Sequence, residues 1–99
     1  MLHVLRHSPH GETRFASCLR SINAGQALLL IEEAVYGLLP GTNTRRSLEY
    51  LPASIALYAL DVDLQARGLA LDDVPGRVRL INYAVMVELC VEHTKVVNW

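Results

Sequence analysis

The sequence predicts an α/β domain, a three-layer α/β/α sandwich around a mostly parallel sheet of four to five strands. Strand-like and helix-like patterns alternate along the whole chain, and the connections between them are short. Residues 27–31 form an unbroken apolar run, as expected of a strand that is covered on both faces. Such alternation builds βαβ units, which place helices on both faces of a parallel sheet.

The first half of the chain is predicted to contain two strands and two helices. Residues 2–6 form a short strand that ends at the turn signal of residues 7–11. An apolar stripe at helical spacing occupies residues 15–22, and Gly25 supplies the left-handed position that ends this helix. After the apolar run, residues 34–39 form a short helix.

The second half repeats the alternation. Residues 45–51 are predicted to form one or two helical turns, residues 55–60 a strand and residues 62–66 a short helix. Residues 70–77 contain a proline and a glycine and are predicted to be a loop, which leads to a strand at residues 78–81.

A last helix and a last short strand complete the predicted elements. Asn82 is the expected N-cap of the helix, and residues 95–97 form the strand. The helix residues expected to face the core are Tyr83, Val87, Cys90 and Val91.

Composition limits the possible functions. The 99 residues predict one domain, residues 1–99, and 52% of them are hydrophobic while 19% are charged, which excludes intrinsic disorder. Nine basic residues face ten acidic ones, so direct affinity for nucleic acid is not expected. The apolar excess predicts an exposed patch for other protein chains and self-association of the isolated chain.

Targeting and redox signals favour a cytoplasmic protein. Residues 1–11 lack the apolar stretch of a signal peptide, and the longest apolar run is far shorter than the ~20 residues that span a bilayer. The two cysteines, Cys18 and Cys90, have no spacing typical of a disulfide framework, so reduced thiols and no membrane association are expected.

One loop is a candidate binding site. His7, Ser8, Pro9 and His10 follow the first strand, and ligands of open parallel sheets collect at the carboxyl ends of strands. Their imidazoles, hydroxyl and backbone N–H groups are able to receive an anion or a polar partner. The alternative is a solvated turn whose histidines contact nothing.

No metal or cofactor is expected. Glycine-rich phosphate-binding motifs do not occur in the sequence. His3 and His7 are ~13 Å apart along an extended strand at ~3.3 Å per residue, so they cannot bind one ion. Cys90 and His93 have a workable helical spacing, but two ligands do not form a zinc site.

Cys18 is the candidate nucleophile, with two interpretations. Its position on the apolar stripe favours a small buried core residue. Arg14, one turn earlier, is placed to favour a reactive thiolate. The pattern alone favours burial and leaves both interpretations open.

Five segments resemble the TusB/DsrH family over essentially the whole chain, among them residues 28–32 (LLLIE), which are similar to its second strand. Residues 2–9 (LHVLRHSP) are similar to the LH-x-x-x-x-SP start of that family. Residues 58–68 (YALDVDLQARG) match its YAL-x-x-DL-x-ARG segment. Residues 81–89 (INYAVMVEL) and 97–99 (VNW) are similar to its ID-Y-x-x-FV-x-L and AW tail, with Asn82 in place of the usual aspartate.

The resemblance implies a DsrE/DsrF/DsrH-type fold and an accessory, non-catalytic subunit of a TusBCD-type complex. Its expected partners are TusC-like and TusD-like subunits in a dimer of heterotrimers, with sulfur-carrier proteins reached through the complex. That complex passes persulfide sulfur toward the wobble uridine of tRNA, which becomes 2-thiouridine, so this chain would meet tRNA only indirectly. The resemblance also implies structural roles for Asp63, Leu64, Arg67, Gly68, Tyr83 and Trp99.

Two alternatives remain open. Cys18 stands where DsrH proteins of sulfur-oxidising bacteria carry a cysteine, which implies a DsrEFH sulfur-trafficking complex with Cys18 as persulfide carrier. The second alternative is a small-ligand-binding α/β domain that uses the loop of residues 7–10.

Overall fold

The sheet has five strands, all parallel, in the order β4-β3-β2-β1-β5. A computed structural model describes residues 1–10 and 13–99, so Gly11 of the predicted turn lies outside the described residues. The strands are β1 (Leu2–Leu5), β2 (Ala27–Leu30), β3 (Ala56–Leu60), β4 (Val78–Ile81) and β5 (Val96–Asn98). The predicted α/β class with a parallel sheet is confirmed.

The connections between strands carry the helices. They are α1 (Thr13–Ser21), α2 (Asn43–Glu49), α3 (Asp61–Ala66) and α4 (Tyr83–Glu92), together with 3₁₀ helices at Glu32–Leu38 and Leu71–Asp73. The helix predicted at residues 34–39 is thus a 3₁₀ helix, and the predicted loop at residues 70–77 contains one 3₁₀ turn.

Two local predictions are confirmed at atomic detail. Gly25 has φ +83° in the turn that leads from α1 to β2. The Asn82 side chain accepts a hydrogen bond from the Val85 N–H at 2.9 Å, as an N-cap does.

One face of the sheet, called here the first face, is covered by α1, α2, α3 and the longer 3₁₀ helix. Its strand residues are Leu5, Leu28, Leu30, Leu57, Ala59 and Val78. The covering residues include Phe15 and Cys18 from α1, Leu48 from α2 and Leu64 from α3. Cys18, Leu48 and Leu64 have no exposed surface, so this face is a closed core.

The opposite face, called here the second face, is covered within the described residues by α4. Its buried strand residues are Leu2, Val4, Ala27, Leu29, Leu60 and Ile81. Leu89 is the buried residue of α4, and Val85, Met86 and Cys90 are half-buried beside it. One helix therefore covers a surface that four elements cover on the other side.

The orientation predicted for α4 is wrong. Tyr83, Val87 and Val91 were expected to face the core, but they are 56%, 58% and 80% exposed. Cys90 is half-buried at the boundary. Apolar residues occur on most sides of this helix, so two different stripes satisfy helical spacing, and packing selects the stripe centred on Leu89.

Candidate functional site

The carboxyl ends of the parallel strands form one edge of the sheet, where the segments after β1, β2 and β3 meet. Ligands of open α/β sheets bind at such an edge. We call the side chains that join these segments the edge cluster: Arg6, Glu32, Glu33, Asp63 and Arg67.

Asp63 and Arg67 hold the start of the 3₁₀ helix after β2. Glu32 has φ +51°, an uncommon conformation for a residue with a side chain, and its N–H donates to the Asp63 carboxylate at 2.7 Å. Arg67 donates to the Glu33 carboxylate at 3.1 Å and lies 3.5 Å from the Asp63 carboxylate. The two motif residues therefore fix the backbone of the β2 segment.

Leu64 and Gly68 fix the position of α3, which carries Asp63 and precedes Arg67. The Leu64 side chain is completely buried in the first-face core. Gly68 has φ +73° at the end of α3, where its N–H donates to the Gln65 carbonyl at 3.1 Å. Four positions of the DL-x-ARG segment, Asp63, Leu64, Arg67 and Gly68, thus have a structural reason for their residue type.

Arg6 joins the β1 end to the segments on either side. Its guanidinium donates to the Asn98 side-chain oxygen at 3.2 Å, at the end of β5. It also lies 3.8 Å from the Glu32 carboxylate, in a pair in which both side chains are about half exposed. Exposed pairs of this kind contribute at most ~1 kcal/mol to the free energy of unfolding. The main contribution of Arg6 is therefore to the geometry of the carboxyl edge of the sheet.

The polar groups of the predicted binding loop bond mostly to nearby groups. Arg14 donates to Nε2 of His7 at 2.7 Å, since a guanidinium has only donors. The Ser8 hydroxyl accepts a hydrogen bond from the His10 N–H at 3.1 Å. Pro9 is half-buried beside them. A ligand at this loop would compete with these bonds, and its use as a binding site stays a prediction.

A buried polar chain joins the first strand to Trp99. His3 is 3% exposed, and its Nδ1 accepts from the Trp99 indole N–H at 3.0 Å. Its Nε2 therefore carries the proton and donates to the Gln26 side-chain oxygen at 2.8 Å. The His3 and Trp99 rings also stack, with centroids 6.2 Å apart.

Sequence reasoning missed this chain of bonds. A signal for it was present, because His3 lies between apolar residues within the predicted first strand. A buried imidazole requires partners, and the sequence alone does not show which distant residues supply them.

Cys18 lies in the first-face core. Arg14, which is one turn earlier and was placed to favour a thiolate, instead donates a hydrogen bond to His7 outside that core. The Cys18 thiol has no exposed surface, and burial raises its pKa from 9.0 to about 12. Both properties oppose formation of a thiolate at neutral pH. The carrier role of Cys18 would need movement of α1 and stays a prediction.

Metal binding has no support within residues 1–10 and 13–99. They contain no group of three or more histidine, cysteine, aspartate or glutamate side chains able to hold an ion. His93 uses Nδ1 for a hydrogen bond to the Leu89 carbonyl at 2.8 Å, where it ends α4.

Among the helices of residues 1–10 and 13–99, none is long and apolar enough to cross a membrane.

Solved structures show the same fold. The ychN protein from E. coli superimposes with a TM-score of 0.83 at 18% identity, over 99% of this chain and 97% of that one. MTH1491 from Methanobacterium thermoautotrophicum has a TM-score of 0.73 at 14% identity, over 99% of this chain and 96% of that one. At such identities the likeness concerns the fold alone.

Sequence comparison gives closer relatives. Protein TusB of Escherichia coli (strain K12) is 38% identical over 99 residues, and Protein TusB of Pectobacterium parmentieri is 35% identical over 99 residues. Each alignment covers 100% of both chains. The family model described as DsrH like protein matches residues 7–96. The chain therefore belongs to the DsrH-like family and has full-length relatives named TusB.

Proposed function

We propose that this chain is an accessory subunit of a TusBCD-type sulfur-relay complex in the cytoplasm. In this role it assembles with TusC-like and TusD-like subunits, and the complex passes persulfide sulfur toward 2-thiolation of the wobble uridine of tRNA. The full-length identity of 35% and 38% with TusB proteins carries the proposal. The chain itself would meet neither tRNA nor a membrane.

The geometry supports an accessory rather than a catalytic role. Persulfide transfer requires an accessible thiolate that attacks the outer sulfur of a persulfide, breaks its S–S bond and releases the donor thiolate. Cys18 is buried with a raised pKa, and Cys90 is half-buried on α4. The contribution of this subunit is then to hold and orient its neighbours, whose docking brings the reacting sulfurs together.

Co-expression tests the proposal. The chain is produced together with the TusC-like and TusD-like subunits of the same organism, with an affinity tag on the TusD-like subunit, and the eluate is analysed by gel filtration. The proposal predicts one peak that contains all three chains at a size consistent with a dimer of heterotrimers. An eluate that contains the tagged TusD-like subunit without this chain contradicts it.

A second candidate function follows from the presence of Cys18. In a DsrH-like subunit this thiol would carry sulfur as a persulfide, and the structure requires that α1 open before the reaction. Incubation with a cysteine desulfurase, a sulfur carrier and cysteine would then add ~32 Da, the mass of one transferred sulfur, in intact-mass measurements.

The matched variants are Cys18→Ser and Cys90→Ser. The carrier hypothesis predicts that the adduct disappears in Cys18→Ser and persists in Cys90→Ser. An unmodified wild-type chain, under conditions that load the TusD-like subunit, contradicts the hypothesis and leaves the accessory role.

A further inference from the structure

We propose that the outer face of α4 is a docking surface for a different protein chain, one that offers an apolar strip bordered by lysine or arginine. The central residues are Tyr83, Val87 and Val91, called here the α4 stripe. They are 56%, 58% and 80% exposed and lie one turn apart along one side of the helix.

The α4 stripe is unusual because the opposite side of the same helix is also apolar. Leu89 is buried against the second face of the sheet, with Val85 and Met86 half-buried beside it. A helix that is apolar on both sides is expected where both sides are covered. The sheet covers one side, which leaves the stripe for a partner.

A second helix also exposes an apolar residue at the edge of the sheet where the stripe begins. Leu60 and Ile81 are register partners at the ends of β3 and β4, and Val62 and Tyr83 each lie two residues further along. Val62 is 38% exposed. Val62 thus places one further exposed apolar residue at the carboxyl edge of the sheet, the edge at which the stripe begins.

Charge beside the stripe defines the chemistry of the partner. Glu88 and Glu92 are exposed and follow Val87 and Val91 by one position, so both lie on the same flank, ~100° around the helix. Neither forms a salt bridge within residues 1–10 and 13–99. Since α4 contains no lysine or arginine, the flank is uniformly acidic and complements a basic border.

The same flank disfavours a second copy of this chain as an antiparallel occupant, in contrast to the self-association that the composition predicts. In an antiparallel pair related by a two-fold axis, like flanks of the two helices meet, so Glu88 and Glu92 would face their own copies. Like charges placed together oppose such a pair. The identity of the occupant as a sister subunit rests on the proposed function, whereas the chemistry of the surface does not.

The test uses co-expression with the TusC-like and TusD-like subunits and three variants. Val87→Glu places a charge in the stripe, and Glu88→Lys combined with Glu92→Lys reverses the flank. Tyr50→Glu is the matched control, because Tyr50 is 80% exposed and lies at the end of α2, on the other side of the sheet. All affected side chains are exposed, so circular-dichroism melting of the isolated variants should match the wild type.

The expected result is loss of assembly in both test variants. Val87→Glu and the charge-reversed variant should bind the sister subunits at least ~10-fold more weakly, as for a central interface residue, whereas Tyr50→Glu should co-elute like the wild type.

Each other outcome overturns a distinct statement. If the wild type and both test variants assemble equally well, the docking surface is wrong and the proposed function stands. If the wild type does not assemble, the proposed function and the sister-subunit identity both fail. If the isolated wild type is a dimer that Val87→Glu dissociates, the occupant is a second copy.

Discussion

The two faces of the sheet are built by the same strands but are covered to different extents. On the first face, α1, α2, α3 and a 3₁₀ helix enclose a core in which Cys18, Leu48 and Leu64 are fully buried. On the second face, α4 contributes one buried residue, Leu89, and presents the α4 stripe to solvent. The difference shows that the apolar excess of the sequence serves both a closed core and an outer surface.

The largest effect is expected for Phe15→Ala on the first face. Phe15 is 3% exposed, and its ring fills the space beside Gly37, where an added Cβ would lie 2.7 Å from the ring. Truncation should lower the free energy of unfolding by about 3–5 kcal/mol, measured by urea denaturation. If Phe15→Ala lowers the free energy of unfolding by less than a truncation on the second face does, the first face is not the more tightly packed of the two.

Leu89→Ala should have the next largest effect, about 2–3 kcal/mol on the free energy of unfolding in the same urea experiment. Leu89 is 7% exposed, and its neighbours on α4 are only half-buried, so solvent and side chains can partly fill the space left by the truncation. If Leu89→Ala lowers the free energy of unfolding as much as Phe15→Ala does, α4 is packed as tightly as α1.

The smallest expected effect concerns the pH dependence of the first face. Burial raises the pKa of the Cys18 thiol to about 12 from 9.0, so the folded state retains a proton that the unfolded state releases. The stabilisation is therefore complete below pH ~9 and is lost as the pH rises toward 12, by at most ~1.4 kcal/mol per pH unit and so by at most ~2 kcal/mol at pH ~10.5.

The measurement is urea denaturation of the wild type and of Cys18→Ala at pH values from neutral to ~10.5. This range includes the pH values above ~9 at which the raised pKa of the buried thiol predicts a loss of stability. The difference in unfolding free energy should be constant up to pH ~9 and then change in favour of Cys18→Ala. Parallel curves throughout would show that the thiol is accessible to solvent and that the first face opens near α1.

Most of the fold followed from local patterns. The apolar run at residues 27–31 and the alternation of helices and strands were sufficient to predict a parallel sheet, and all five strands lie within a few residues of their predicted positions. Asn82 and Gly25 were predicted because capping and positive φ depend on adjacent residues.

The parts that escaped prediction depend on contacts between distant residues. The orientation of α4 could not be read from spacing, because Tyr83 and Leu89 both belong to plausible apolar stripes. The bond from the Glu32 N–H to Asp63 joins positions 31 residues apart, and periodicity contains no information about such a pair. Asp63 and Arg67 were identified only through the family resemblance, and the structure supplies their physical role.

The bond between Trp99 and His3 spans 96 residues of sequence and has a consequence for folding. During synthesis β1 can pair with β2 early, but its other edge stays unpaired until β5 emerges. An unpaired apolar strand is a template for aggregation, and contacts of such long separation form slowly. Pairing of β5 with β1, together with the bond from Trp99 to His3, therefore ends the interval in which this edge of the nascent sheet stays unpaired.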